Sequence, residues 1–149
     1  MQLEDILTPE RCYCKIDGVS KKRILNKISE LVSKDIPGLE PTEVFNALLA
    51  REQLGTTGLG NGIAIPHCRI AGSEKIVGAL VTLDKAIDFD ALDGKPVDLL
   101  FVLIVPELKT DEHVQTLAGL ARLFSDDDFC YTLRHTHDSE DLYNIAITY

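Results

Sequence analysis

The sequence predicts an α/β protein: a three-layer sandwich in which a mixed sheet, mostly of four to five strands, carries helices on both faces. Three observations lead there. Two strongly apolar runs, Ile76 to Leu83 and Val97 to Val105, lack polar alternation, as strands do when both of their faces are covered. Segments with apolar residues at helical spacing occur twice before these runs and again after them. The 149 residues suit one domain spanning 1–149, long enough to bury roughly two-thirds of its unfolded surface without a metal or a disulfide.

Taken in order, Leu3, Ile6 and Leu7 make a short apolar start, stopped by Thr8-Pro9. Cys12 to Ile16 reads as the first strand, ended by Asp17-Gly18. Ser20 is a good N-cap for a helix with Ile24, Leu25, Ile28, Leu31 and Val32 on one face, and Pro37-Gly38 breaks that helix. Pro41 opens a second helix carrying Val44, Phe45, Leu48 and Leu49, with Arg51 and Glu52 in its last turns. Gly62 to Ile65 is a short buried strand that delivers Pro66 and, at its end, His67; Ala71-Gly72-Ser73 is a turn. Asp88-Phe89-Asp90 and Asp93-Gly94 bracket the loop between the two long strands. Thr110 is expected to cap a helix beginning Asp111-Glu112-His113, with Val114, Leu117, Ala118, Ala121 and Phe124 as its buried stripe. Phe129 to Leu133 and Ser139 to Ile147 are two terminal helices, the second with Ser139 as N-cap.

Charge and composition exclude several functions. A net charge of −9 argues against general affinity for nucleic acid or anionic membranes, which both require a basic surface. Met1 leads directly into Gln2-Leu3-Glu4-Asp5, so no secretory signal is expected, and the apolar run Leu99 to Val105 is far too short to span a bilayer. The expected location is the cytoplasm. Cys12, Cys14, Cys68 and Cys130 form no C-x-x-C knuckle and are expected to be buried thiols in a reducing compartment. The H-x-H pair His135 and His137 has no well-placed carboxylate or thiol beside it, so no metal and no cofactor are expected.

The stretch from Arg51 to His67, REQLGTTGLGNGIAIPH, is where chemistry is expected. Glycine permits positive φ and close backbone approach, while the amides and hydroxyls around Thr56, Thr57, Gly58, Gly60 and Asn61 can point at an anion. An oxyanion handled at His67 is the natural reading. No Gly-Lys-Ser/Thr follows the glycines, which removes a P-loop. The glycines do not match G-x-G-x-x-G and open a strand after a helix, the reverse of a dinucleotide site. His113, at the start of a helix, stands where amides and the macrodipole favour anions over a cationic imidazole. The plainer readings are a simple turn, a surface histidine, and an arginine complementing a helix C-terminus.

Together the central stretch, the strand ending Leu103-Ile104-Val105-Pro106 and the helix beginning Glu112-His113 resemble the enzyme IIA domains of the fructose/mannitol class in the bacterial sugar phosphotransferase system. The likeness is greatest to the nitrogen-regulatory member, and Phe89-Asp90-Ala91-Leu92-Asp93-Gly94-Lys95-Pro96-Val97-Asp98 also looks like that branch. The resemblance implies a phosphocarrier that accepts a phosphoryl group on His67 from a phosphohistidine on a small carrier protein. It places the second active-site histidine at His113 and the guanidinium at Arg51, requires no metal, and leaves proteins such as transporters or sensor kinases as candidate regulated targets. A metabolic enzyme IIA passing phosphate to a IIB domain, and a non-catalytic protein-binding module, are the alternatives. Cys68 departs from the small residue common after the active histidine and would be strained if its φ were positive, while Thr56 keeps the hydroxyl of the frequent serine.

Overall fold

The computed structural model describes residues 2–107 and 111–149. Two short 3-10 turns, Leu3–Asp5 and Pro9–Arg11, lead into β1 (Cys12–Ile16). Next come α1 (Lys21–Asp35) and α2 (Pro41–Leu54), then three short strands, β2 (Gly58–Gly60), β3 (Ile63–Ala64) and β4 (His67–Ile70). The long strands β5 (Val77–Ile87) and β6 (Val97–Pro106) are followed by α3 (Asp111–Leu123), α4 (Asp127–Arg134) and α5 (Ser139–Thr148).

The strands form one mixed sheet of six segments in the order β1-β5-β6-β3-β2, with β4 also on β6. β5 and β6 are antiparallel, Leu80 lying opposite Phe101, and β1 joins β5 in parallel. Lys15, with φ 55°, bulges β1, and its amide bonds the Thr82 hydroxyl at 2.8 Å where the ladder register shifts. The sheet has more segments than the four to five strands expected because its far edge is broken up. β3 and β4 run parallel to β6 in one unchanged register, Ile63 opposite Leu99 and His67 opposite Leu103. They are one strand interrupted at Pro66, whose nitrogen has no hydrogen to donate to a ladder; β2 pairs outside its β3 half, and its β4 half lies at the sheet edge. His67 therefore opens a strand segment rather than standing at the end of one.

Two cores cover the two faces. Ile24, Ile28, Val32, Val44 and Leu48 pack on one side with Ala79, Val81, Leu100 and Val102, while Leu120, Phe124, Phe129 and Leu142 pack on the other with Leu80, Leu99, Phe101 and Leu103. Successive residues of β5 and β6 alternate between the two cores, as strand geometry requires. Ser20 caps α1 through the Arg23 amide, as expected. At α5 the cap is Asp138, one residue earlier than the expected Ser139, because its carboxylate takes the Asp141 amide at 2.8 Å. Thr110, the expected cap of α3, lies outside the described residues.

The phase of α3 also differs. Val114 is 59% exposed, whereas His113, Thr116, Leu120 and Phe124 are buried. Both stripes have helical spacing and share Phe124; the observed one brings Leu120 into the core with Phe101 in place of the smaller Val114 and Ala118. The consequence is functional: His113 lies on the inward face of α3, 8% exposed.

Candidate functional site

Along the interrupted edge, Ala64, Cys68 and Ile70 join the α1–α2 core, and Ile63 and Ile65 the opposite one. Strand alternation at constant register puts His67 on the side of α3. α2 packs along β4, so its last turn reaches the same imidazole from the edge. There Arg51 donates from Nε to His67 Nε2 at 3.2 Å and from Nη1 to the Gly55 carbonyl at 2.9 Å. On the other side of the ring, His67 Nδ1 lies 2.9 Å from the Ile65 carbonyl oxygen.

These contacts define the tautomer. A carbonyl only accepts, so Nδ1 carries the hydrogen; a guanidinium only donates, so Nε2 presents its lone pair. Burial lowers the pKa of His67 below its ordinary value of 6.5. The Ile65 carbonyl opposes that shift, Arg51 and His113 reinforce it, and Glu52 counters them. A neutral imidazole with an in-plane lone pair directed at a guanidinium is a nucleophile beside an anion receptor.

His113 is close enough to act electrostatically on His67, though no hydrogen bond joins the two rings among the described residues. Its Nδ1 is buried, with no hydrogen-bond partner among the described residues. The structure thus gathers His67, Arg51 and His113 from three elements that are far apart in the chain.

The candidate phosphate-binding loop is arranged differently from its expectation. The Thr56 hydroxyl donates to the Phe89 carbonyl at 2.8 Å and accepts from the Gly58 amide at 3.0 Å. The Thr57 amide and hydroxyl both donate to the Glu52 carboxylate. Gly58 passes so close to the 88–94 loop that a Cβ there would lie 2.9 Å from the Cβ of Ala91. Gly60 (φ 99°) and Asn61 (φ 57°) make the turn between β2 and β3, with the Asn61 amide on Asp93 and its carbonyl on Arg134. That turn lies beyond Ile63, four strand residues or ~13 Å from His67. The hydroxyls, and the amides of Thr57, Gly58 and Asn61, are engaged within the protein, so the loop braces the site instead of offering these groups to an anion.

Glu52, which brings that loop to α2, was not singled out in the sequence, yet it carried a signal. Val44, Leu48 and Glu52 stand four apart, so the buried stripe of α2 runs straight into the carboxylate, which is 6% exposed. Cys68 has no positive φ among the described residues and is buried, its thiol pushed up to about 12 by desolvation, so it is neither strained nor reactive. All four cysteines are free thiols. His135 stacks on Tyr131 with centroids 4.0 Å apart and bonds its carbonyl through Nδ1. Among the described residues, no group of three His, Cys, Asp or Glu side chains is placed to hold a metal, and no helix is long and apolar enough to cross a membrane.

The model of the family described as "Phosphoenolpyruvate-dependent sugar phosphotransferase system, EIIA 2" matches residues 5–148. The chain belongs to this family. EIIA domains of this type are phosphotransfer domains, which is the chemistry that a neutral imidazole beside a guanidinium supports. The chain is 48% identical to the nitrogen regulatory protein of Pseudomonas aeruginosa over 147 residues, covering 99% of this chain and 96% of that one. Among solved structures, nitrogen regulatory protein IIA-Ntr from Neisseria meningitidis superposes with a TM-score of 0.90 at 38% identity, covering 97% of this chain and 98% of that one. IIA mannitol from Escherichia coli shares the fold of this EIIA domain, with a TM-score of 0.77 at 22% identity over 94% of this chain and 98% of that one.

Proposed function

We propose that the protein accepts a phosphoryl group on Nε2 of His67 from a phosphohistidine on a small carrier protein and works as a nitrogen-branch phosphotransfer regulator. The observation that carries the reading is the pair of contacts on the imidazole, Nδ1 held by the Ile65 carbonyl and Nε2 facing Arg51. The similarity to nitrogen regulatory proteins along nearly the whole chain supports the regulatory assignment over sugar transport.

In the transfer step, the Nε2 lone pair forms a bond to phosphorus as the P–N bond to the carrier's histidine breaks. The carrier's imidazole departs with the electron pair of that bond, and the proton on its other nitrogen leaves it neutral. His67 keeps its Nδ1 hydrogen against the Ile65 carbonyl, which stabilises the positive charge that the ring acquires. Arg51 turns its N–H groups from Nε2 to the phosphoryl oxygens, where charge is spread in the transition state. The His113 ring, held on the inward face of α3, donates a hydrogen bond to the same oxygens. The large side chains exposed nearby, Leu54 at the end of α2 and Leu92 on the loop beside β2, are suited to contact the carrier.

The test is incubation with enzyme I, the histidine-containing carrier and phosphoenolpyruvate, read by intact mass and by NMR of the phosphorylated imidazole. One phosphoryl group on Nε2 is the expected product, with none on His67→Ala. Labelling of that variant to the wild-type level would end the assignment, and rapid passage of the group to a sugar IIB domain would favour the metabolic role.

A further inference from the structure

We propose that the buried Glu52–Lys21 pair positions Arg51 against His67 by clamping the Gly55–Thr57 segment to the end of α2; the inference rests on the phosphoryl-acceptor reading above. The Glu52 side chain is 2% exposed, and a carboxylate at that depth needs partners that replace water. Oε1 accepts from the Thr57 amide at 3.1 Å and lies 3.0 Å from Lys21 Nζ; Oε2 accepts from the Thr57 hydroxyl. Lys21, the first residue of α1, also lies 3.6 Å from Asp90 Oδ2, with its ammonium 4.7 Å from the Phe89 ring centroid. Thr56 in turn donates to the Phe89 carbonyl. Two helices and two loops thus meet at one carboxylate.

Arg51 depends on that junction. Its Nη1 is held by the Gly55 carbonyl, and Gly55 is exposed, with φ 154° and open space where a side chain would sit. The Gly55 amide closes α2 on the Glu52 carbonyl at 3.1 Å, and beyond it the segment is held at Thr56 by the Phe89 carbonyl and at Thr57 by the Glu52 carboxylate and the Ile65 amide. Releasing Thr57 from the Glu52 carboxylate removes the side-chain anchor that ties the segment back to α2, so the Gly55 carbonyl shifts against the helix and the guanidinium loses the second point that sets its plane. Glu52, one residue on in the helix, points to a different side from Arg51, and no carboxylate lies within ion-pair distance of Arg51 among the described residues. The N–H groups of Arg51 stay available for a phosphoryl group.

The experiment compares Glu52→Gln, Lys21→Met and the double variant with wild type, using the phosphorylated carrier as donor. In each single variant kcat is expected to fall about tenfold with KM for the carrier within about twofold, since reactant geometry and not carrier contact is lost. The double variant is expected to be no worse than the poorer single one, because the pair acts as a unit. A second readout needs no carrier: 15N NMR of the Arg51 Nε–H, held by His67 in wild type and expected to lose its protection from solvent exchange in both variants. Should Glu52→Gln fail to fold, Thr57→Ser and Thr57→Val serve in its place, the serine keeping kcat and the valine, without the hydroxyl donor, lowering it. Unchanged kcat overturns the inference, as does a raised KM at unchanged kcat, or a lowered kcat with the Arg51 signal intact. If wild type takes no phosphoryl group, the acceptor reading fails by itself, and the Nε–H comparison still decides whether the clamp exists.

Discussion

Along β5 and β6 the pairing runs from Val77 opposite Ile104 to Thr82 opposite Leu99, and the apolar side chains of that ladder are buried on both faces. Between Gly58 and Ile70 the same chain makes three strands of two to four residues, joined by a turn at positive φ and by Ile65-Pro66. The first region repeats the same interaction many times, so no single contact decides it. In the second, single groups carry the structure: one proline interrupts the ladder, one carbonyl orients the His67 ring, and one carboxylate gathers a loop. The difference teaches that the candidate site lies where the sheet stops being uniform. An imidazole in mid-ladder would have its neighbours packed tightly around it, whereas at an interrupted edge a guanidinium from α2 can approach its ring nitrogen.

Three experiments break or sharpen this comparison. Phe101→Ala should have the largest effect: the ring is fully buried at the centre of β6 against Phe124, and its removal is expected to cost about 3–5 kcal/mol in urea unfolding. The folded fraction should still take a phosphoryl group; if it does not, core and edge are not separable. Arg51→Lys comes next. Lysine lacks the planar fork that addresses Nε2 and the Gly55 carbonyl together, so phosphoryl acceptance is expected to fall about 10- to 100-fold with the urea midpoint nearly unchanged.

The smallest effect is that of pH. Because the pKa of His67 is lowered by burial, NMR should find its titration midpoint below 6.5, and acceptance should stay flat down to that pH and decline only below it, as protonation removes the lone pair. The sign for stability follows. The unfolded imidazole binds its proton at the ordinary value and the folded one only at lower pH, so this residue's contribution is present above 6.5 and is lost as pH falls through the interval between the two values. The difference between wild type and His67→Ala in urea unfolding isolates it from the other groups; a midpoint at or above 6.5 would mean that the ring is solvated.

Much of this was legible in the chain. The apolar runs of β5 and β6, the Ser20 cap, the Pro37-Gly38 break and the Pro41 start are local signals, and each element lies where its own residues put it. The three residues that the structure gathers at the candidate site, His67, Arg51 and His113, were named through the family resemblance, on the motif around His67 and the helix bearing His113. The division of β3 from β4 was not, because Gly62 to Ile65 alone does not reveal that the residues after Pro66 return to the same partner strand in register. Nor was the phase of α3, since Val114 and Leu120 are equally apolar in sequence and only the core they face distinguishes them.

Sequence by itself determined the elements, the two-sided burial of the long strands and, through the family resemblance, the candidate nucleophile, since hydrophobic period, turn chemistry and motif are properties of neighbouring residues. Tertiary structure alone decided how the ring nitrogens of His67 are used, that His113 faces inward, and that the threonines of the glycine-rich loop serve Glu52 and Phe89 rather than an anion. Each of those outcomes depends on the partner a polar atom meets after the chain has closed on itself, and an unfolded chain does not specify that partner.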